Sequence, residues 1–450
     1  MRVKIENFGR VSSAKFNLNG ITVVAGVNGS GKSTISRVLM TWISYLDQVD
    51  DSIAEERVKS VVEQINRILN AADIPRSIFL PSLMFRNLRK LLKVDYWRDR
   101  KAVTEWIIRH SIGERGWKLR DDSTDELFSK VDSLFDEIRK EVEEILSTPD
   151  EPYEFFVANS FFRRAFDGQV GTVFDVSTDS YVSVEDDGGE MTKAVFKVGK
   201  CASLEGVGCG VHVMPAFYIE PRHLIDGYID KVRYLSSREH FVENRFSRGE
   251  GLGWKRILYT NPDTEHWSMQ RMEQQEVLNR ELDKIVATIH GQIEKSEREI
   301  QFRDTDNGEM ISIRNIASGA KTMATLIRGL RNGIIESGSL LIIDEPETNL
   351  HPEWQVKFAE FLVLLNAKFG IKTLLNTHSP YFLKAVQVYS DLFNISEKCS
   401  YYTMEPDVIN GMFHTKDVSE CIELVFTEMS RPYAKLIYGE RYDSQMEQSE

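Results

Sequence analysis

Apolar and polar residues alternate along the first 25 residues in a pattern that predicts two or three β-strands. Residues 3–5 alternate, Phe16 and Leu18 alternate, and residues 21–25 form an apolar, β-branched run. This run leads directly into a stretch rich in glycine. We therefore expect a strand that ends in a glycine-rich loop.

From Ser33 to about Leu146 the apolar spacing becomes helical. The clearest stripe, with spacings of three or four residues, consists of Leu127, Val131, Leu134, Ile138, Val142 and Ile145. Ser123 and Glu126 precede it with the spacing of a capping box. The segment is too long for one crossover helix, so we interpret it as an inserted helical subdomain.

Beyond Pro149 and Pro152 the pattern returns to strands over residues 170–220, punctuated by glycine. A polar stretch at about 229–262 then leads into a second apolar stripe, made by Leu278, Leu282, Ile285 and Ile289. This short helical arm either pairs with a neighbouring molecule or packs on its own domain. Residues 300–302 and 311–313 predict a hairpin.

Composition narrows the class of protein. A chain of 450 residues that is 42% hydrophobic and 28% charged is long enough to bury two or three cores. Its longest apolar runs have strand length, and residues 1–8 do not resemble a signal peptide, so we expect a cytoplasmic protein without a membrane anchor. The four cysteines form no C-x-x-C pair, which favours neither disulfides nor a zinc site. A net charge of −13 argues against simple nucleic-acid binding.

Residues 26–33, GVNGSGKS, match G-x-x-x-x-G-K-[ST] between a predicted strand and a predicted helix, which is the context of a phosphate-binding loop. Backbone N–H groups in such a loop turn inward around phosphates, and the helix directs its positive end at them. Lys32 is expected to reach the β- and γ-phosphates of ATP and Ser33 to ligate Mg²⁺. The predicted nucleotide-binding residues here are Asn28, Gly29, Ser30, Gly31, Lys32, Ser33 and Thr34.

Residues 340–346, LLIIDEP, predict a buried strand that ends in two carboxylates. Because successive side chains on a strand face opposite ways, the two can reach different atoms. Asp344 is expected to hold Mg²⁺, directly or through water, and Glu345 to act as the general base. Two acidic residues at the start of a loop are common by chance, but they rarely follow four apolar residues in a chain with a phosphate loop.

Two further motifs supply candidate phosphate contacts. Ser318 and Gly319 open a predicted helix whose N-terminus can meet a phosphate. His378 follows the strand-like residues 373–377. A lone histidine is usually structural, but at this strand end we interpret it as a sensor of the γ-phosphate and a second catalytic residue.

Together, GVNGSGKS at 26–33, IASGAK at 316–321, LLIIDEPETNLHP at 340–352 and NTHSP at 376–380 resemble the ABC/SMC-like ATPases. Among these, the chain is most similar to bacterial AAA-type ATPases of phage-defence operons, such as the PtuA-like proteins of Septu and retron systems and the AriA-like proteins of PARIS. The resemblance implies an α/β, SMC-head-like P-loop fold with an inserted helical subdomain and a short helical arm. The implied segments are an N-terminal head lobe over 1–47, a helical insertion over 48–155, a return of the head sheet over 156–228, a linker and arm over 229–300 and a C-terminal head lobe over 301–450.

The resemblance also implies a homodimer that sandwiches ATP, with possible assembly into higher oligomers. Ser318 and Gly319 of one copy would then contact the γ-phosphate held by Lys32 of the other, and residues 349–351 would cross the dimer seam. Ala320 and Lys321 depart from the Gly-Gln that transporters usually carry after the signature serine and glycine. A glutamine loop is not evident, and Gln169 is one candidate.

Three functions fit these residues. The favoured one is a defence ATPase that senses infection and scaffolds a separately encoded effector, a nuclease or retron partner. Only residues 379–450 follow His378, and a TOPRIM nuclease domain of its own needs more. A DNA-repair or chromosome-maintenance SMC ATPase would have longer arms or a zinc hook. An ABC transporter subunit would have a more compact insertion.

A basic segment at residues 86–101 interleaves Arg and Lys with Phe85, Tyr96 and Trp97. Such a patch can grip nucleic acid, or an RNA-bearing partner, by charge and stacking. It can equally bind an acidic face, including the acidic stretch at 121–151 of this same chain. Both interpretations are consistent with the sequence.

Overall fold

The structure is a computed structural model that describes residues 1–72, 134–175, 177–207, 214–219, 268–289, 291–295, 300–316, 318–408 and 410–438. The basic segment 86–101, the capping box at 123–126 and the polar stretch 229–262 lie outside these residues. Within the described residues, no helix is long and apolar enough to cross a membrane.

The described strands form an 11-stranded sheet and a three-stranded sheet. The order in the large sheet is β6-β5-β4-β1-β2-β14-β13-β3-β12-β11-β7, and in the small one β10-β9-β8. The strands are β1 (Arg2–Phe8), β2 (Val11–Asn17), β3 (Ile21–Ala25), β4 (Ser180–Glu185), β5 (Met191–Lys197), β6 (Lys200–Glu205), β7 (Ala216–Ile219), β8 (Gly291–Lys295), β9 (Ile300–Asp304), β10 (Met310–Ser312), β11 (Leu340–Asp344), β12 (Lys372–Thr377), β13 (Cys399–Pro406) and β14 (Phe413–Asp417).

Five neighbouring strands, β13, β3, β12, β11 and β7, run parallel to one another. Their register pairs Ala25 with Thr377 and Asp344 with Asn376. All five residues of β3 and of β11 are buried, as expected for parallel strands covered on both faces. The carboxyl ends of β3, β11 and β12 therefore meet at one edge of the sheet.

The described helices connect and cover these strands. They are α1 (Lys32–Ala71), α2 (Phe135–Ser147), α3 (Glu151–Ala165), α4 (Met269–Ile289), α5 (Ser318–Arg331), α6 (Pro352–Phe369), α7 (Pro380–Leu392) and α8 (Ile422–Tyr438). Proline stands at the start of both α6 and α7, where it has no N–H to lose and its φ already suits a helix. Helices α6 and α7 thus begin immediately beyond the loops that follow β11 and β12.

The helical arm is α4, and it packs on its own domain. Leu278, Leu282 and Val286 are buried in the same core as Ile343 and Leu375. At its C-terminal end, α5 is held by α4, since Gln275 Nε2 donates to Leu330 O at 2.9 Å. Of the two interpretations of the arm, the described contacts support packing within the chain. The predicted hairpin is confirmed, because β9 and β10 pair with Phe302 opposite Ile311.

By Cα proximity the chain divides into two compact units. One contains residues 1–44, 161–207 and 211–450, and the other residues 45–160 and 208–210. Within the second unit, the buried Arg57 donates to the carbonyls of Ile145, Leu146 and Thr148 at the end of α2. The predicted segment boundaries remain predictions.

Candidate functional site

The phosphate-loop motif lies between β3 and α1, as its spacing predicts. Gly26, Gly29 and Gly31 have φ values of 152°, 79° and 99°, which residues with a side chain rarely adopt. A Cβ on Gly31 would lie 2.8 Å from Val11 Cγ2. The first turn of α1 closes on this glycine, because Thr34 N donates to Gly31 O at 3.0 Å. The glycine at position 31 is therefore required both by its dihedral angle and by the lack of space.

Lys32 is buried at the centre of this loop. Its Nζ donates to Gly26 O at 2.7 Å and to Val27 O at 2.9 Å. Burial lowers the pKa of the Lys32 ammonium from its ordinary value, and the charges of Glu345, Glu347 and Asp344 oppose that change. Two neutral carbonyls compensate a buried cation only in part. The loop thus holds a cation in a place where an anion would stabilise it.

Asp344, at the end of β11, is the most densely bonded carboxylate of the site. Ser36 Oγ and Asn376 Nδ2 donate to Oδ1 at 2.7 and 2.6 Å, and the Tyr218 hydroxyl donates to Oδ2 at 2.8 Å. Burial raises the pKa of Asp344, although these hydrogen bonds and one from Ser33 lower it. The structure therefore brings Asp344 into contact with Ser33, its predicted companion in the metal site.

At Glu345 the backbone leaves the extended conformation of β11. Its φ is +46°, a left-handed conformation that costs a residue with a side chain about 1–3 kcal/mol. Its N–H donates to Asn376 O at 2.8 Å, and Thr348 Oγ1 donates to its Oε2 at 3.1 Å. These bonds fix the direction in which the chain leaves β11, so the carboxylates of Asp344 and Glu345 stand in different surroundings.

His378 lies at the end of β12, where the parallel register brings it to the same edge of the sheet. Its side chain is 40% exposed, and its Nδ1 lies 3.2 Å from Glu347 Oε1. The same carboxylate oxygen accepts hydrogen bonds from His378 N at 2.7 Å and Thr377 Oγ1 at 2.8 Å. Glu347 is itself almost fully buried, so His378 is held at its backbone and presents an accessible ring.

Part of the chain is similar to a known protein family. Residues 208–384 match the family model described as "AAA domain, putative AbiEii toxin, Type IV TA system". Over these residues the chain is similar to that family, and the match includes β11 and β12. Over 167 residues it is 28% identical to the retron Vc95 probable ATPase of Vibrio cholerae serotype O1 biovar El Tor, a match that covers 35% of this chain and 32% of that protein. The chain therefore spans about a third of the length of this curated relative.

Solved SMC heads are among the structural neighbours. The SMC head domain from Thermotoga maritima has a TM-score of 0.37 at 12% identity, covering 93% of this chain and 98% of that one. An SmcHead bound to the C-winged helix domain of ScpA has a TM-score of 0.41 at 10% identity, covering 94% of this chain and 98% of that one. The described strands and helices have the α/β arrangement that the sequence predicts.

The residues of the head suit a magnesium nucleotide. Ser30 Oγ is buried and makes no hydrogen bond among the described residues, which leaves a donor at the loop for a phosphate oxygen. Within the part of the chain that the structure describes, the Lys32 ammonium hydrogen-bonds only to carbonyl oxygens, and Ser33 and Asp344 offer the hydroxyl and carboxylate oxygens that Mg²⁺ prefers. These side chains therefore fit both the phosphates of a nucleotide and a magnesium ion.

The structure also describes parts of the other predicted motifs. Helix α5 begins at Ser318. The surroundings of Ser318 and Gly319 lie outside the part of the chain that the structure describes. Asn349 has a φ of +58°, and His351 caps α6 by accepting from Glu353 N at 3.4 Å. Gln169 lies in an exposed loop two residues before Gly171, whose carbonyl accepts from Gly9 N. The roles assigned to these residues remain predictions.

Sequence reasoning missed four side chains of the head: Ser36, Tyr218, Glu347 and Asn376. Ser36 follows Ser33 by three positions, so helical spacing could have placed both on one face. Asn376 stands in an apolar strand two positions before His378, so in an extended segment the two side chains face the same way. This spacing could have identified Asn376 from the sequence. Tyr218 gave none, because an aromatic residue in a buried strand is ordinary packing.

Proposed function

We propose that this ATPase binds Mg-ATP between two copies of itself and uses the bound and hydrolysed states to control a separately encoded effector in antiviral defence. The observation that carries the proposal is the meeting of Lys32, Ser33, Asp344, Glu345 and His378 at one edge of the sheet. The partial similarity to a retron probable ATPase supports the defence role. The effector and the homodimer rest on the resemblance of the motifs.

Binding follows from the loop. Backbone N–H groups between Gly29 and Thr34 would donate to the phosphates, and Lys32 would exchange its two carbonyl partners for phosphate oxygens. Ser33 and Asp344 would hold Mg²⁺, which when bound neutralises charge on the phosphates. Ser36, Tyr218 and Asn376 would keep the carboxylate of Asp344 oriented. The oxygens that would hold the metal are thus positioned before it binds.

Hydrolysis would depend on Glu345 and His378. Glu345 would accept the proton of the attacking water, and its fixed backbone would direct the carboxylate without a rearrangement at the moment of reaction. His378 would hydrogen-bond the γ-phosphate through its accessible ring. Ser318 and Gly319 of a second copy would close the site, so that assembly and hydrolysis are coupled.

A Glu345→Gln substitution tests the chemical assignment. We expect turnover to fall about 10²–10⁴-fold while ATP still binds, because the base is lost and the phosphate contacts remain. The measurements are steady-state phosphate release and calorimetric titration with ATP. Lys32→Ala should instead lose binding, and Glu397→Gln, an equal change at an exposed position, should behave as wild type. Normal turnover by Glu345→Gln would refute the assignment.

The defence role calls for a test in cells. The gene with its native neighbours would be introduced into a bacterial host, and plaque counts compared with those for Lys32→Ala and for a deletion of each neighbour. We expect protection that requires both Lys32 and a neighbouring gene for a nuclease or a reverse transcriptase. Protection by the ATPase gene alone would contradict control of a separate effector, and equal plaque counts in all strains would contradict the defence role.

A further inference from the structure

Glu347 is the one acidic residue of the 344–347 segment that the mechanism above leaves without a role. It is 6% exposed, and one of its oxygens accepts from the Thr377 hydroxyl and from His378 N. That oxygen is also 3.2 Å from His378 Nδ1. The carboxylate thus contacts both the backbone and the ring of the candidate phosphate sensor.

Stability alone does not explain a carboxylate at this position. Its other oxygen, Oε2, is buried and makes no hydrogen bond among the described residues. The nearby Lys32 ammonium, whose pKa the charge of Glu347 raises, offsets part of the cost of burying this carboxylate. A neutral glutamine could accept from the same donors without that cost. A buried group with an unsatisfied atom calls for an explanation outside packing.

We propose that Glu347 is a positioning residue that keeps hydrogen on His378 Nδ1 and so leaves Nε2 for the γ-phosphate. An ionised carboxylate only accepts hydrogen bonds, so Glu347 Oε1, 3.2 Å from Nδ1, favours a hydrogen on that nitrogen. When Nε2 also donates, to a phosphate oxygen, the ring carries two hydrogens and a positive charge. The carboxylate of Glu347 balances that charge in a way that a neutral amide does not.

The neighbouring strand segment makes the arrangement rigid. Thr377 is fully buried, and its hydroxyl both donates to Glu347 and accepts from Ser379 N at 3.0 Å. Ser379 in turn caps α7 by accepting from Phe382 N. Glu347 is thereby tied to the turn that carries His378 and to the start of the next helix, so the backbone below the ring is held before nucleotide binds.

The inference rests on the proposed function and is tested by Glu347→Gln and Glu347→Ala, with Glu397→Gln as the matched control. We expect Glu347→Gln to lower kcat about tenfold or more while the Kd for a non-hydrolysable ATP analogue changes less than about threefold. Glu347→Ala should lower kcat further. If the alanine variant does not fold, the glutamine variant still decides, because it keeps the size and the acceptor.

A second readout separates positioning from a structural role. Histidine is labelled with ¹⁵N, and the His378 ring signals are assigned by comparison with His378→Ala. In the wild type with the analogue bound, both ring nitrogens should appear protonated, and both glutamate variants should lose this state. A fall in kcat with unchanged ring signals would overturn the inference, as would an unchanged kcat.

The two proposals fail in different ways. If the wild-type protein binds the analogue but hydrolyses no ATP, the proposed function falls, and the ring signals alone then decide on Glu347. If the wild type hydrolyses ATP and the ring signals are the same with and without the carboxylate, only the inference about Glu347 falls.

Discussion

Two residues of the head occupy left-handed backbone conformations for different reasons. Gly31, at φ +99°, has no space for a side chain beside Val11. Glu345, at φ +46°, carries a side chain and has its conformation held by hydrogen bonds to Asn376 and Thr348. The first fixes the path of the loop, and the second directs a carboxylate.

Gly31→Ala should therefore abolish nucleotide binding. The added methyl costs about 1–2 kcal/mol in the left-handed conformation and in addition collides with Val11 Cγ2 at 2.8 Å, so the loop must move away from its phosphate-binding shape. The measurement is calorimetric titration with ATP. Gly308→Ala is the matched control, because Gly308 has φ +77° with no atom within 4 Å of the added carbon. Equal affinity of both variants and the wild type would show that the loop tolerates a side chain.

Among single residues, the sequence alone identified the glycines, Lys32 and the pair Asp344 and Glu345, because each belongs to a short motif. It did not show how Asp344 is held, since Tyr218 and Asn376 reach it from other strands. Such contacts depend on which strands become neighbours, and no local pattern encodes that. Glu347 escaped notice for the same reason, because its partners lie on β12.

Among the elements, the helix ends show the closest fit between sequence and structure. Proline starts α6 and α7, and His351 and Ser379 cap them. At the other end of α6, Gly370 adopts φ +64° and closes the helix through bonds to Asn366 and Leu365. The loops between these helices and the strands before them are short, which gives the functional side chains little freedom.

The end of α2 depends on a residue of α1. Arg57 donates to three carbonyls there and to Asp150 Oδ1 at 2.5 Å. Arg57→Ala should lower the free energy of unfolding by about 2–4 kcal/mol, because the carbonyls and the carboxylate lose their buried donor. Arg67→Ala, at an exposed position of the same helix, should have little effect. Urea denaturation checks both, and equal midpoints for the two variants would contradict this role.

The strands were predicted better than the arrangement of the helices. Alternation and apolar runs located β1, β2, β3, β9 and β11, because a strand's period of two is visible within a few residues. The helical arm was left with two interpretations, since an apolar stripe indicates burial but not the partner. Contacts with α5 came from tertiary packing, which sequence periodicity does not specify.

At the scale of the whole molecule, distant parts of the chain share the candidate nucleotide site. The loop at 26–33 precedes β11 and β12 by more than half of the sequence. Parallel pairing brings β3, which leads into this loop, together with β12 and β11. In the proposed dimer the site also needs the α5 N-terminus of a second copy. One protomer would then hold an incomplete site.

Mixing two inactive variants tests this sharing. Lys32→Ala removes the phosphate contact, and Ser318→Arg should block the opposing helix end, so each protein alone should be inactive. A mixed dimer contains one site with an intact Lys32 and an intact Ser318 from different protomers. Random assembly should restore about a quarter of wild-type phosphate release. No recovery, although mixed dimers are seen by native mass spectrometry, would contradict the shared site.

Pairing β3 with β12 and β13 also has a consequence during synthesis. Residues 21–25 leave the ribosome early, but their partners at 372–377 and 399–403 follow only after most of the chain, about 20–75 s later at ordinary elongation rates. Until then the apolar strand has neither neighbour, which exposes it to aggregation. Nascent chains of this protein should accordingly depend on chaperones, and prematurely terminated ones should be unable to retain ATP.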